Sequence, residues 1–150
     1  MRRVLPILLG LTLLTGAGCS SLGKKWTDAV VLPTATNSVA GAWEGIWRSG
    51  ENGHTGRLRC ILTPTTTNGV YQAQFHATFW KLFSAGYKVN FTIQPTNGYW
   101  LLSGEQNLGG LMGGVYKYDG KVTPTEFKAN YKSSMDQGIF EMSRPKPVTH

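Results

Sequence analysis

The residues able to do chemistry in this chain are few, and they fall in turns. His54 stands three places before Arg57 in "NGHTGR", so an imidazole and a guanidinium share one short loop. Such a pair could hold a carboxylate or phosphate through charge-assisted hydrogen bonds. Glu105, Asn107 and Asp136 sit near other turns, and His54 with the two acids could supply acid–base chemistry. No G-x-S-x-G elbow, H-E-x-x-H helix or G-x-x-x-x-G-K-[ST] loop accompanies them. The three histidines (54, 76 and 150) and Cys60 are scattered without metal-ligand spacing. The expectation is a protein with no enzymatic activity, no metal and no cofactor.

These residues need a scaffold, and its period is two. Tyr87, Val89, Phe91 and Ile93 alternate with Lys88, Asn90, Thr92 and Gln94; Tyr71 to Phe79 alternate in the same way. Alternation of this kind marks a half-buried strand. Asn52-Gly53, Asn68-Gly69, Asn97-Gly98 and Asp119-Gly120 read as turns. Eight strands are expected, near 42–49, 57–64, 70–82, 86–95, 99–107, 114–118, 125–133 and 138–144, and no segment shows a convincing helical period. Short sequential connections favour an all-β, single eight-stranded antiparallel up-and-down barrel; the alternative is a β-sandwich. Closure removes exposed sheet edges, and eight strands enclose room for packed side chains or one small ligand.

A meander barrel gathers alternate loops at each end. The loops near 50–56, 83–86, 107–114 and 134–138 share one end, which collects His54, Arg57, Glu105, Asn107, Met112 and Asp136. Trp47, Phe75, Phe79, Tyr87, Phe91 and Tyr131 fall on the inner face, with Trp43 and Phe127. They either fill a core or line a pocket. In "NLGGLMGG", glycines flank a Leu111–Met112 pair, which reads as a lid over the mouth or as a glycine-rich bend. Cys60 faces inward by parity.

"GAWEGIW" opens the first strand with Gly41-x-Trp43, and Arg144 ends the last. This pair resembles the lipocalin and related calycin barrels. The resemblance implies that Trp43 closes the barrel floor under Arg144, and that a ligand mouth opens at the end bearing the loops just named. The chain stops without an evident C-terminal helix, closer to an avidin-like or fatty-acid-binding-like barrel.

The N-terminus addresses the compartment. Arg2 and Arg3 precede an apolar run from Val4 to Leu14, too short for a membrane span, and small residues lead to Cys19. Gly16-Ala17-Gly18-Cys19 resembles the bacterial lipobox, with Gly16 where that family usually has an aliphatic residue. The resemblance implies a signal peptide over 1–18, acylation of Cys19, and a mature protein anchored in the cell envelope, facing periplasm or exterior. Residues 19–40 read as a tether and 41–150 as the barrel domain. Loss of 1–18 leaves 13 Lys+Arg against 8 acids. That modest positive charge suits an anionic membrane surface and gives no reason to expect nucleic acid.

Three functions are consistent with these features. The first is a binding module for a small apolar or amphipathic ligand, its polar head held by His54 or Arg57. The second is a filled barrel contacting an envelope protein or glycan through Lys128, Lys132 and outward-facing Trp80 and Trp100. An enzyme built on Glu105, Asp136 and His54 comes third.

Overall fold

Half-buried strands with short turns between them pair with their sequence neighbours, and the structure, a computed structural model, shows that pairing throughout. It describes residues 19–31, 37–79 and 83–146 (backbone alone at 19–21 and 83). The strands are β1 (Gly41–Ser49), β2 (Thr55–Pro64), β3 (Val70–Phe79), β4 (Phe83–Pro95), β5 (Trp100–Asn107), β6 (Val115–Val122), β7 (Glu126–Lys132) and β8 (Gln137–Ser143). Each runs antiparallel to the next, and β8 pairs with β1 to close an up-and-down barrel.

Register puts the apolar set inside. Trp43 lies opposite Cys60, Cys60 opposite Phe75, and Phe75 opposite Tyr87, all on the inner face. One end is packed solid. Phe127 contacts the Trp43 and Phe91 rings, at centroid separations of 5.8 and 6.4 Å, and Phe75 meets Phe91 edge-on at 6.0 Å. Trp43 is fully buried and donates its indole N–H to the Val39 carbonyl at 2.9 Å. Arg144 lies over the same indole at 3.7 Å from the ring centroid. Its guanidinium donates to the carbonyls of Ser38 (2.7 Å), Ala40 (2.9 Å) and Ala42 (3.3 Å), tying the segment before β1 to the segment after β8.

The structure corrects the sequence reading at several places. Cys19–Val31, expected as part of a tether, is a 13-residue helix, α1. Leu22, Trp26, Ala29 and Val30 are its half-buried residues, and Trp26 stacks against Arg59 of β2 at 4.8 Å. A helix this short gains its stability from such packing, so the spacing is a weak signal in the sequence. Asp119-Gly120 is not a turn. It lies within β6, where Gly120 pairs with both Leu102 and Ala129. A Cβ at Gly120 would meet the Ala129 side chain at 2.9 Å, so the glycine serves close approach of two strands. Residues 83–86 belong to β4 rather than to a loop. Trp100 does not face outward: it pairs with buried Val122 and packs on the core. Trp80 lies outside the described residues, as do positions 1–18 and the carboxy-terminal 147–150.

Candidate functional site

Loops 50–54, 108–114 and 133–136 share the end opposite Trp43, and here the barrel is not filled. A cavity of about 460 Å³ opens between them. Its base is formed by Phe140 and Tyr118, whose rings lie 6.0 Å apart. Its walls are aromatic: Trp47 and Phe79 in contact at 5.2 Å, with Tyr87, Tyr116 and Tyr131. Small residues create the space. Ala77 and Ala85 are partners across β3 and β4, and both line the cavity. Glycines opposite aromatics set ring positions. Gly56 faces Trp47, and Gly138 faces Tyr131. A side chain at Gly138 would strike the Tyr131 hydroxyl at 2.6 Å.

Polar groups concentrate at the rim. Asp136 accepts hydrogen bonds from Ser49 Oγ (2.6 Å) and from the Tyr131 hydroxyl (2.9 Å). Ser49 is only 2% exposed, and its Oγ also accepts from the amides of Glu51 and Asn52. This carboxylate therefore joins the β1–β2 loop to the β7–β8 loop. Ser134 Oγ donates to the Gly113 carbonyl at 3.1 Å, adding the β5–β6 loop. The Trp47 indole N–H donates to the Thr78 carbonyl at 3.0 Å, which fixes the ring on the cavity wall.

Burial raises the pKa of three wall phenols. Tyr87 and Tyr118 are pushed up first by loss of water. Tyr131 is raised by burial and then by its hydrogen bond to Asp136, because the bonded proton must be given up beside a negative charge. All three stay neutral donors across ordinary pH. Cys60, fully buried beneath them, is also pushed well up by burial, which keeps it a thiol.

Of the mouth residues named from sequence, His54, Met112 and Asp136 line the cavity. Arg57 does not. The inner face of β2 carries Gly56, Leu58 and Cys60, so Arg57 is exposed on the outer wall. Glu105 is also outside, 3.9 Å from Lys117. Asn107 caps its own loop, its Oδ1 accepting from the Gly109 amide at 2.9 Å. Of the interior residues, Trp47, Phe79, Tyr87 and Tyr131 line the cavity, whereas Phe75 and Phe91 belong to the packed core below. Sequence reasoning missed Ser49, Tyr116, Tyr118, Met135 and Phe140. The tyrosines were visible in "VYKYDGKV", where Tyr116 and Tyr118 alternate with Lys117 and Asp119. Reading Asp119-Gly120 as a turn cut that strand short and hid the pattern.

Among the described residues no cluster of His, Cys, Asp or Glu is disposed to hold a metal ion, and no helix is long and apolar enough to cross a membrane. In comparisons with known proteins, the chain matches no family model, no curated protein and no solved structure. The function must therefore be argued from this site itself.

Proposed function

We propose that the protein is an envelope lipoprotein, anchored through acylated Cys19, whose calycin-like barrel carries a small apolar or amphipathic ligand and performs no catalytic step. The observation that carries the binding reading is the unequal interior. One half is packed with rings, and the other leaves about 460 Å³ open to the loop end, within the range of small-molecule sites. Tight packing is the rule in protein interiors, and an apolar recess of this size is one that a small ligand could fill. The lining holds Asp136 and His54 but neither Lys nor Arg. A ligand head that is neutral or cationic suits that lining better than the carboxylate or phosphate that a His54–Arg57 pair would have held. Support for the anchor is the order of charge, apolar run, small residues and cysteine over residues 2–19.

Native mass spectrometry of the mature protein, purified gently from its own envelope, tests both halves. We expect a discrete extra mass that is lost on denaturation, and a lipid-modified Cys19. The variant Ala85→Leu should fill the cavity and lower affinity for the released compound at least tenfold, with at most about 1–3 kcal/mol lost in stability. A clean protein mass, with no saturable quenching of tryptophan fluorescence by apolar compounds, would overturn the carrier reading.

One observation favours contact with an envelope protein or glycan as the runner-up. A groove of about 700 Å³ crosses the outer wall of β5–β8, lined by Leu101, Asp119, Lys121, Lys128 and Asn130 among others.

A further inference from the structure

The two ends of the barrel differ in what they show to solvent. Large apolar side chains exposed among the described residues are Val31, Leu101, Leu111, Met112, Val115 and Met135. Four of these six belong to the loop end around the cavity. Leu111 is 100% exposed, Met135 67% and Met112 44%, and all three also line the cavity opening. The turns of the opposite end, "TTTN", "TNGY" and "TPT", carry none, and Leu101 stands nearby on the outer face of β5. Exposed Leu and Met gathered on two neighbouring loop tips are not the scattered apolar surface of an ordinary soluble domain.

The tip is held up rather than left loose. The β5–β6 loop folds into one 3-10 turn, closed by Met112 N–H to the Gly109 carbonyl at 3.0 Å and Gly114 N–H to the same carbonyl at 2.9 Å. Gly113 is left-handed at φ 93°, and a side chain there would also meet the Tyr116 hydroxyl at 3.0 Å. The turn thus presents Leu111 outward on a backbone with its own hydrogen bonds.

Below this apolar tip the outer wall is basic. Arg48, Arg57 and Lys132 are exposed within three residues of the loop ends of β1, β2 and β7. At about 3.3 Å per residue, each lies within roughly 10 Å of the rim. Lys117 adds a fourth cation, paired to Glu105; the remaining acids of this end are exposed Glu51 and half-buried Asp136, the latter bonded to Ser49 and Tyr131. An apolar tip above a cationic collar is complementary to a bilayer of anionic lipid, whose headgroups attract Lys and Arg while the interface takes Leu and Met.

We propose that the loop end of the barrel docks on an anionic membrane surface. Leu111, Met112 and Met135 enter the interfacial layer, and Arg48, Arg57 and Lys132 meet lipid phosphates. The cavity mouth then opens toward the lipid, so an amphiphile could pass between bilayer and barrel without crossing water. The docking itself does not depend on the carrier reading, because the tip and collar would bind lipid with the cavity empty.

The test places an environment-sensitive fluorophore on Leu111→Cys in the full chain carrying Cys19→Ser, with Asn97→Cys at the opposite end as reference and the Cys19→Ser chain labelled in parallel as blank. Both positions are exposed and Cys60 is buried, so labelling leaves the barrel intact. Vesicles of phosphatidylcholine with about one-third phosphatidylglycerol should shift the Leu111 probe to the blue with a several-fold gain in intensity, and high salt should reverse it. The Asn97 probe should stay in water. In the same background without a label, Leu111→Ser, Met112→Ser and Met135→Ser together should weaken vesicle binding roughly tenfold or more, read as the loss in co-flotation. The same signal at both positions, none at Leu111, or equal signals with pure phosphatidylcholine would each overturn the proposal. A bound ligand in native mass spectrometry with no Leu111 signal would leave the carrier reading standing and remove the docking alone.

Discussion

Arg144 is the single residue on which most of the closed end converges. It stacks on Trp43 and gives three hydrogen bonds to carbonyls of the segment leading into β1. Partial burial lowers its pKa to about 10, so it keeps its charge at neutral pH, and the carbonyls and the indole face offset the lost water. Arg144→Ala should cost about 2–4 kcal/mol in urea denaturation. Arg144→Lys should recover little of it, because one ammonium cannot span Ser38, Ala40 and Ala42 in a planar fork. Full recovery by lysine would show that charge alone matters there. The buried phenols and Cys60 set a second expectation, in alkali. Their pKa values are raised in the fold, so their contribution is complete below the unfolded values, about 8.5 for a thiol and about 10 for a phenol. It is lost as pH rises through the folded values. The denaturation midpoint should therefore fall above about pH 9. Phenolate absorbance from Tyr87, Tyr118 and Tyr131 should appear only as circular dichroism reports unfolding. Ionisation of all six tyrosines in an intact barrel would contradict their packing.

Strands carry the next level of information, and here the sequence is legible to the degree that parity is. Period two places Trp43, Trp47, Phe75, Phe79, Tyr87, Phe91 and Tyr131 on the inner face, and the structure has them there. Parity cannot say which level of the barrel each occupies. That follows from register, which emerges only when the strands pair, so Phe75 and Phe91 look equivalent to Tyr87 in sequence and yet belong to the packed half. Cross-strand glycines are illegible for the same reason. Gly56 looks like a loop residue in "HTGR", but it lies in β2 opposite Trp47, and a Cβ there would collide with the indole and the Thr78 carbonyl. Gly56→Ala should displace the Trp47 ring, break its bond to Thr78 and cost about 1–3 kcal/mol. Near-ultraviolet dichroism of the indole, alongside thermal unfolding, checks both effects. An unchanged indole signal would mean that β2 shifts instead.

At the scale of the whole molecule, α1 is, among the described residues, the one element of regular structure outside the closed sheet that is longer than a single turn. The barrel's hydrogen-bond ladders are complete without it, since β1 already pairs with β2 and β8. What holds α1 is side-chain contact: Trp26 on the Arg59 guanidinium, itself 3.8 Å from Glu44, and half-buried Leu22, Ala29 and Val30 against the wall. The helix has no acid in its first turn and no base in its last, so its dipole gains nothing from its own ends. At 13 residues it is marginal alone in water. Helix and docking should therefore be lost together. Trp26→Ala removes the largest contact, and we expect amide hydrogen exchange over residues 22–31 to accelerate strongly while exchange in β1–β8 and the barrel's denaturation midpoint change little. Helical dichroism should fall by the contribution of one short helix. Arg59→Ala should act in the same direction but more weakly, because the indole would keep its apolar contact with the wall. Faster exchange throughout the sheet in the Trp26 variant would show instead that α1 is part of the barrel's cooperative unit. The distance between Cys19 and the barrel would then be fixed by the fold rather than by a detachable helix.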